Sequence, residues 1–215
     1  MVKPVSPKRW TAGPQPAEAT TTHLQETLGI RPALARLIAQ RGLTTYEEAY
    51  AFFNPAYEAT ASPFRMQGMK QAVERISNAL QQQDPILVFG DYDVDGTTAV
   101  AMLYRYLGHL TDQLYHYVPD RFEEGYGLSY EGINYGLARG VSLVIVLDCG
   151  IKGHDYVAYA SEHGMDVIIG DHHTPGEALP PAHTILNPKQ QDCPYPYKEL
   201  SGCGIGFKLI QALHQ

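Results

Sequence analysis

Apolar and amphipathic blocks divide this chain of 215 residues into two parts. Up to about residue 84 the apolar positions recur at helical spacing, and beyond it short apolar runs alternate with amphipathic segments. The runs predict strands at residues 86–90, 143–147 and 167–170, and more weakly at 114–118 and 184–186. Strands that alternate with helices form parallel sheets covered on both faces. The sequence therefore predicts an α/β fold, a mostly parallel sheet flanked by helices, behind an N-terminal helical preface.

Helix signals fill the remaining segments. Pro32 can open a helix, Thr45 and Glu48 form a capping box, and Asn54-Pro55 ends a helix. Further helices are predicted at residues 66–82, 97–110, 129–139, 153–163 and 205–214. The predicted domains are a loose Pro- and Thr-rich arm at 1–19, a helical preface at 20–84 and an α/β domain at 85–215.

Carboxylates and imidazoles follow three of the predicted strands directly. They are Asp91, Asp93, Asp95, Asp148, Asp171, His172 and His173. The carboxyl ends of parallel strands share one edge of the sheet, which is where ligands bind. Neighbouring carboxylates repel one another unless a cation lies between them. The pattern therefore predicts a site for more than one divalent ion at that edge.

The ligand types narrow the choice of metal. Carboxylates dominate, imidazoles are the minority, and no cysteine pair has zinc-like spacing, which favours Mn²⁺ or Mg²⁺. A carboxylate shared by two ions is the usual device for holding them at a phosphoryl group. Asp148 stands alone after the middle strand and is the candidate for the shared position.

Plainer interpretations compete with a two-metal site. Residues 91–96 match the opening of a calcium-binding EF-hand loop, but Met102 stands where that loop requires Glu. Asp91 or Asp95 could simply cap the next helix. Asp148 could be a turn residue, and the two histidines could be ordinary loop residues. Three carboxylates at alternate positions, and a strand-end pattern repeated three times, favour the metal site.

The segment after the second predicted strand adds candidate substrate contacts. Arg121 could bind a phosphate through two hydrogen bonds, and Tyr126 or Tyr92 could stack on a base. A salt bridge from Arg121 to Glu123 or Glu124 is an equally good expectation.

Two other features are less specific. The glycine-rich residues 202–206 could form a phosphate-binding nest, but close packing of the last helix is favoured. Of the three cysteines, Cys149 is expected to be a small buried residue beside the metal site, and Cys193 and Cys203 match no strong zinc pattern.

Composition bounds the setting of the protein. The net charge of −7 argues against broad attraction to nucleic acid, although metal-binding carboxylates make such a count look more acidic than the loaded site. No apolar run approaches the length of a membrane span, and the first sixteen residues lack the apolar core of a signal peptide. An odd number of cysteines fits a reduced, cytoplasmic setting without membrane contact.

Three motifs carry a family resemblance. GDYDVDG, VLDCG and GDHHTP, in that order and at strand ends, resemble motifs I to III of the DHH phosphoesterase superfamily. The segments FFNP, PFRMQGMKQAVERI, PDRFEEGYGLS and LNPKQQDCPYPYKELSGCGIGFKL are similar to the RecJ family of single-strand-specific DNA exonucleases. The resemblance extends from about Leu43 to the last residue.

The resemblance implies a role for each motif residue. Asp91, Asp93, Asp95 and His172 would be metal ligands, and Asp148 would bridge two ions. His173 would lie close to the scissile phosphate, and Asp171 would orient the histidine pair. The activity would be 5′→3′ hydrolysis of single-stranded DNA to mononucleotides in recombination and repair. Candidate protein partners are a single-strand-binding protein and a repair helicase.

One departure from the family pattern is expected to matter. A fourth motif, with a further metal-ligating Asp, would follow the glycine-rich segment, and the sequence ends at Gln215 before it. The chain is therefore expected to be an N-terminal fragment with one incomplete metal site and weak or no activity on its own. Two alternatives stay open: another DHH phosphoesterase that acts on oligonucleotides, cyclic dinucleotides or pyrophosphate, and a non-catalytic scaffold relative.

Overall fold

The computed structural model describes residues 9–56 and 60–215, which fall into two compact units. One unit extends to Thr60 and the other begins at Ala61. The first eight residues of the predicted arm lie outside the described part, and its last two already belong to a helix that starts at Glu18. Among the described helices, none combines the length and apolar character that crossing a membrane would need.

Within residues 9–56 the first unit contains three short α-helices. They are α1 (Glu18–Leu28), α2 (Pro32–Gln40) and α3 (Tyr46–Phe53). A small apolar cluster around Leu24 and Ile38 forms its core. The predicted capping box is confirmed: the Thr45 side chain accepts a hydrogen bond from the Glu48 N–H, and the Glu48 carboxylate accepts one from the Thr45 N–H, both at 3.2 Å.

The second unit is an α/β domain. After a short 3₁₀ turn (Pro63–Arg65), its elements are α4 (Met69–Gln82), β1 (Ile86–Gly90), α5 (Val94–Leu107), β2 (Leu114–Tyr117), α6 (Tyr130–Leu137), β3 (Leu143–Leu147), α7 (His154–Glu162), β4 (Asp166–Gly170), β5 (Thr184–Leu186) and α8 (Gly202–Leu213). All five predicted strands are confirmed.

Two helices begin three residues earlier than predicted, and both differences bear on the site. α5 begins at Val94 because Asp93 caps it, and its side chain accepts a hydrogen bond from the Gly96 N–H at 2.9 Å. α8 begins at Gly202 because Ser201 caps it in the same way through Gly204. The carboxylate cluster and the glycine-rich segment are therefore helix starts rather than loops.

The sheet is parallel throughout, in the order β2-β1-β3-β4-β5. The order reverses between β1 and β3, so the crevice of this doubly wound fold lies beyond their carboxyl ends. Register then fixes which residues meet there. The last residues of four strands form one row: Gly90, Leu147, Gly170 and Leu186.

Each face of the sheet has its own apolar core. α4, α5 and α8 cover one face, and α6 and α7 cover the other. Helix α4 contributes Met69, Ala72, Ile76 and Ala79 to the first core. The compact unit that contains the sheet begins at Ala61.

Candidate metal centre

Four buried polar residues stand one position beyond the row of strand ends. They are Asp91, Asp148, Asp171 and Asn187. Burying polar groups costs free energy unless they are hydrogen-bonded or hold an ion, so the partners of each group decide its role. The predicted meeting of separate carboxylates at one sheet edge is what the register produces.

Asp91 is only half satisfied. Its Oδ1 accepts a hydrogen bond from the Gly127 N–H at 3.3 Å, whereas its Oδ2 is buried and has no hydrogen-bond partner among the residues that the structure describes. Burial raises the pKa of this carboxyl group, and the negative charge of Asp93 adds to the effect against the backbone hydrogen bonds that lower it. A buried carboxylate oxygen without a donor is suited to a cation.

Asp148 has the most perturbed carboxyl group of the site. Its backbone has a φ of +64°, in the left-handed region, a conformation that costs a non-glycine residue of order 1–3 kcal/mol. Its N–H donates to the Gly170 carbonyl at 2.8 Å, which ties β3 to β4 at the turn. Burial, followed by the charges of Asp95 and Asp93, raises the pKa of Asp148 to about 8.

The Oδ1 atom of Asp148 is buried and accepts no hydrogen bond within the described part of the chain. His172 Nε2 lies 3.1 Å from this oxygen, but the contact does not meet the angular requirement of a hydrogen bond. The imidazole is thus beside the carboxylate without satisfying it. The Asp148 oxygen and the His172 nitrogen are therefore close enough to be ligands of the same cation.

Asp93 and Asp95 each accept hydrogen bonds from backbone N–H groups at the start of a helix. Asp93, rather than Asp91 or Asp95, is the residue that caps α5. The two oxygens of Asp95 accept hydrogen bonds from the Gly202 and Cys203 N–H groups at the start of α8, each at 2.7 Å. Burial acts to raise the pKa of Asp95, but the hydrogen bonds from Cys203 and Gly202 outweigh it and lower the pKa.

Asp171 is fully engaged, in contrast to Asp91 and Asp148. One oxygen accepts from the Ile151 N–H at 3.0 Å, and the other accepts from the N–H groups of His172 and His173 at 2.7 and 3.1 Å. The second oxygen also lies 2.7 Å from His173 Nδ1. This carboxylate therefore shapes the histidine turn and fixes the orientation of the His173 ring.

Among the described residues there are two sets of three that could bind a metal ion, and within each set the ligand atoms all lie within 4.8 Å of one another. One set is Asp91, Asp93 and Asp148, and the other is Asp148, His172 and His173. Asp148 belongs to both sets, which is the position predicted for a bridging ligand. Asp95 belongs to neither and lies 3.7 Å from His172 Nε2. The donor set of hard oxygens with a minority of imidazole, together with two unpartnered buried oxygens, fits Mn²⁺ or Mg²⁺.

The loop after β2 reaches the centre from the side. Tyr126 Oη lies 3.2 Å from His173 Nε2, and the Tyr126 ring meets the Tyr92 ring edge-on. Burial and the carboxylates of Asp91 and Asp148 raise the pKa of Tyr126, which keeps its hydroxyl protonated. The Arg121 guanidinium lies 5.3 Å from the centre of the Tyr92 ring, and within residues 9–56 and 60–215 it has no ion pair.

The glycine-rich segment packs closely against the centre. A Cβ on Gly202 would lie 2.5 Å from Asp148 Cβ, far inside contact distance, so no larger residue fits there. Asp95 already accepts from the first N–H groups of α8, so this helix start serves the carboxylate rather than a separate nest. Cys149 is a free, buried residue next to Asp148, as predicted.

Sequence reasoning missed two residues of the site. The Asn187 amide donates to the His173 carbonyl at 2.9 Å and so anchors the histidine turn to β5. Glu124 organises the loop that carries Tyr126. The sequence did contain a signal for Asn187, because this residue follows a predicted strand just as Asp148 follows β3. No feature of the sequence distinguished Glu124 from its neighbour Glu123.

Comparisons with known proteins find relatives named as RecJ exonucleases. The single-stranded-DNA-specific exonuclease RecJ of Bacillus subtilis strain 168 is 42% identical over 97% of this chain and 26% of its own length. The Escherichia coli K12 protein of that name is 39% identical over 85% of this chain and 31% of its length. A crystal structure of RecJ from Thermus thermophilus in complex with Mn²⁺ matches with a TM-score of 0.72 at 29% identity, over 93% of this chain and 27% of that one.

The chain spans about a quarter to a third of the length of these curated relatives. The profile of the DHH family, N-terminal domain, matches residues 85–215, which hold every strand and all the metal-centre residues described above. The chain belongs to the DHH family.

Proposed function

We propose that this chain is the DHH part of a single-stranded-DNA-specific 5′→3′ exonuclease that hydrolyses phosphodiesters at a two-metal centre and releases mononucleotides. The observation that carries the proposal is the pair of buried, unpartnered oxygens, Asp91 Oδ2 and Asp148 Oδ1, at the crevice of the sheet. The relatives named single-stranded-DNA-specific exonuclease RecJ support the choice of substrate.

Mn²⁺ or Mg²⁺ is the proposed cofactor, and matched RecJ structures were obtained with each of these ions. Asp91, Asp93, Asp148 and His172 would hold the ions, with Asp148 between them and Asp95 alongside. When bound, such a pair of ions lowers the pKa of a water and neutralises charge on the phosphoryl oxygens.

The protein groups around the ions would orient the substrate. Asp171 holds His173 through Nδ1, which directs Nε2 toward the side where Tyr126 approaches. A His173 imidazolium fixed in this way can donate a hydrogen bond from Nε2 to a phosphate oxygen as negative charge builds up there. Its orientation is set in advance, so little reorganisation would be needed during the reaction.

Arg121 and Tyr126 are the proposed substrate contacts. The guanidinium of Arg121 stacks on Tyr92 and has donors left for a phosphate. The ring of Tyr126 is half exposed and meets Tyr92 edge-on, so an unpaired base could stack on this aromatic pair. A base inside a duplex is stacked on both faces and offers neither of them to such a surface.

The wider setting is part of the same proposal. The enzyme would act in the cytoplasm in DNA recombination and repair, where single-stranded ends arise. A single-strand-binding protein and a repair helicase would be its protein partners, because both generate or hold the single strands it degrades.

Substrate and direction can be tested together with the full-length protein in Mn²⁺. Single strands labelled at either end should yield labelled mononucleotide early from the 5′ label and late from the 3′ label. A blunt duplex should be cut about a hundredfold more slowly, because unpairing a base costs a few kcal/mol. Faster hydrolysis of dinucleotides, cyclic dinucleotides or pyrophosphate than of long single strands would contradict the proposal.

The substrate role of Arg121 leads to a separate prediction. Arg121→Gln should raise KM for single-stranded DNA about tenfold, equivalent to about 1.4 kcal/mol, with little change in kcat. The matched control is Arg139→Gln, because Arg139 also stacks on a tyrosine, Tyr135, but follows α6 at the far edge of the sheet. An equal rise in KM for both variants would mean that the contact is not specific.

A further inference from the structure

The loop from Asp120 to Gly127 is built around one carboxylate, that of Glu124. Its Oε1 accepts hydrogen bonds from the Tyr117 hydroxyl at 2.9 Å and from the Asp120 N–H at 2.8 Å. Its Oε2 accepts from the Ser129 hydroxyl at 2.6 Å. These donors belong to β2, to the start of the loop and to the residue that caps α6, so a single side chain joins three elements.

The rest of the loop is shaped to match. Asp120 Oδ1 accepts from the N–H groups of Phe122 and Glu123 at 2.8 and 3.1 Å, which closes the first turn. Gly125 and Gly127 both have φ of +86°, a backbone region in which only glycine is unstrained. The chain is thereby turned so that residues 126 and 127 face the metal centre.

The two residues after Gly125 make the contacts that matter for chemistry. The Tyr126 hydroxyl lies 3.2 Å from His173 Nε2, and the Gly127 N–H donates to Asp91 Oδ1 at 3.3 Å. The His173 ring is therefore held at both nitrogens, by Asp171 at Nδ1 and by Tyr126 at Nε2. The contacts of Tyr126 and Gly127 depend on where the loop places its backbone.

We propose that Glu124 is a positioning residue for hydrolysis at this centre, acting through Tyr126 on His173. This inference rests on the proposed function for its kinetic consequences, but not for its structural ones. Glu124 belongs to neither set of candidate ligands, and both of its oxygens already accept hydrogen bonds. Its three hydrogen bonds set the path that brings the Tyr126 hydroxyl to the imidazole. Loss of that path would leave the ring fixed at Nδ1 only.

The kinetic test compares two adjacent glutamates in the full-length protein. Glu124→Ala should lower kcat on single-stranded DNA about ten- to a hundredfold, because misplacing a catalytic group by about 1 Å has effects of that size. The thermal midpoint should fall, because the three hydrogen bonds of Glu124 are lost, and the metal requirement should stay the same, because no proposed metal ligand is removed. Glu123→Ala is the matched control, since the Glu123 side chain is exposed, and it should stay within about twofold of wild type.

A double variant separates positioning from simple loss of stability. Tyr126→Phe removes the contact to His173 and should itself lower kcat. If Glu124 acts through Tyr126, then adding Glu124→Ala to Tyr126→Phe should lower kcat by no more than about a further threefold, since effects on one pathway are not additive. Losses that multiply in the double variant, or full activity of either single variant, would overturn the inference.

NMR of the His173 imidazole tests the role of Glu124 independently of enzymatic activity. The imidazole ¹⁵N resonances of His173 should shift in Glu124→Ala and in Tyr126→Phe, and should be unchanged in Glu123→Ala. If the wild-type protein does not hydrolyse single-stranded DNA, the proposed function fails while these shifts still decide the role of Glu124. If hydrolysis is normal and the His173 resonances are the same in all variants, only the positioning role fails.

Discussion

Asp148→Asn is expected to abolish Mn²⁺-dependent hydrolysis of single-stranded DNA and, in the metal-free protein, to raise the thermal midpoint. Loss of a bridging ligand should lower kcat by at least about a thousandfold, since it removes several kcal/mol of charge stabilisation in the transition state. The gain in stability has a separate origin in the metal-free site, where the Asp148 carboxylate is buried beside Asp93 and Asp95 without a hydrogen bond to Oδ1. A neutral amide of the same shape removes that repulsion.

The stability change should depend on pH in a defined direction. The pKa of Asp148 is raised from an ordinary carboxyl value of 3.8 to about 8 in the folded, metal-free protein. Below pH 4 the group is protonated in both folded and unfolded states and contributes no difference. Between about pH 4 and pH 8 the folded state holds a proton that the unfolded state has lost, so folding becomes less favourable as the pH rises. The free energy of unfolding of Asp148→Asn should therefore exceed that of the wild-type protein by an amount that grows from pH 4 to pH 8.

Thermal unfolding in EDTA, followed from pH 4 to pH 8, measures this effect. A rise of about 5 °C near pH 8 would correspond to about 2 kcal/mol in a domain of this size. The exposed Asp112 is the matched control, and Asp112→Asn should change neither the midpoint nor the activity. With Mn²⁺ present the wild-type protein should have a higher thermal midpoint than Asp148→Asn, because only the wild-type protein gains stability from bound ions. Activity of Asp148→Asn within a few-fold of wild type would rule out the bridging role.

The sequence predicted the strands of the α/β domain and the carboxylates at their ends for a simple physical reason. Buried parallel strands are short, continuous apolar runs, and a register of parallel strands places whatever follows them in one row. Asp91, Asp148 and Asp171 could thus be assigned to a common edge without knowledge of a single contact. The same logic extends to Asn187 after β5, where the short strand made the signal weak.

Other parts of the site depend on contacts between distant segments, and local patterns do not contain them. The hydrogen bonds from α8 to Asp95 join residues more than a hundred positions apart. They require α5 and α8 to pack side by side, which no periodicity in either helix specifies. Glu124 was indistinguishable from Glu123 until the loop placed one of them beside Tyr117 and Ser129.

The close approach of α8 to the metal centre leaves no space for a side chain at Gly202. A Cβ there would lie 2.5 Å from Asp148 Cβ and 2.6 Å from its Cγ. Asp148 cannot retreat, because its backbone is held in the left-handed region and its N–H is bonded to Gly170. Gly202 also donates its N–H to Asp95. Any displacement of the helix start therefore moves two carboxylates of the centre at once.

Gly202→Ala is accordingly expected to lower kcat about a hundredfold and to weaken Mn²⁺ binding, with a loss of stability of roughly 1–3 kcal/mol from overpacking. Gly204→Ala, two residues along the same helix, is the matched control: its Cβ would meet the Leu200 side chain at 3.3 Å and no part of the centre. That variant should keep its activity, and alanine should favour the helix by up to about 1 kcal/mol. Activity, calorimetric Mn²⁺ titration and thermal unfolding of both variants decide the matter. Equal losses of activity and of Mn²⁺ binding in both variants would mean that alanine disturbs α8 in general. The specific support of the carboxylates by Gly202 would then be contradicted.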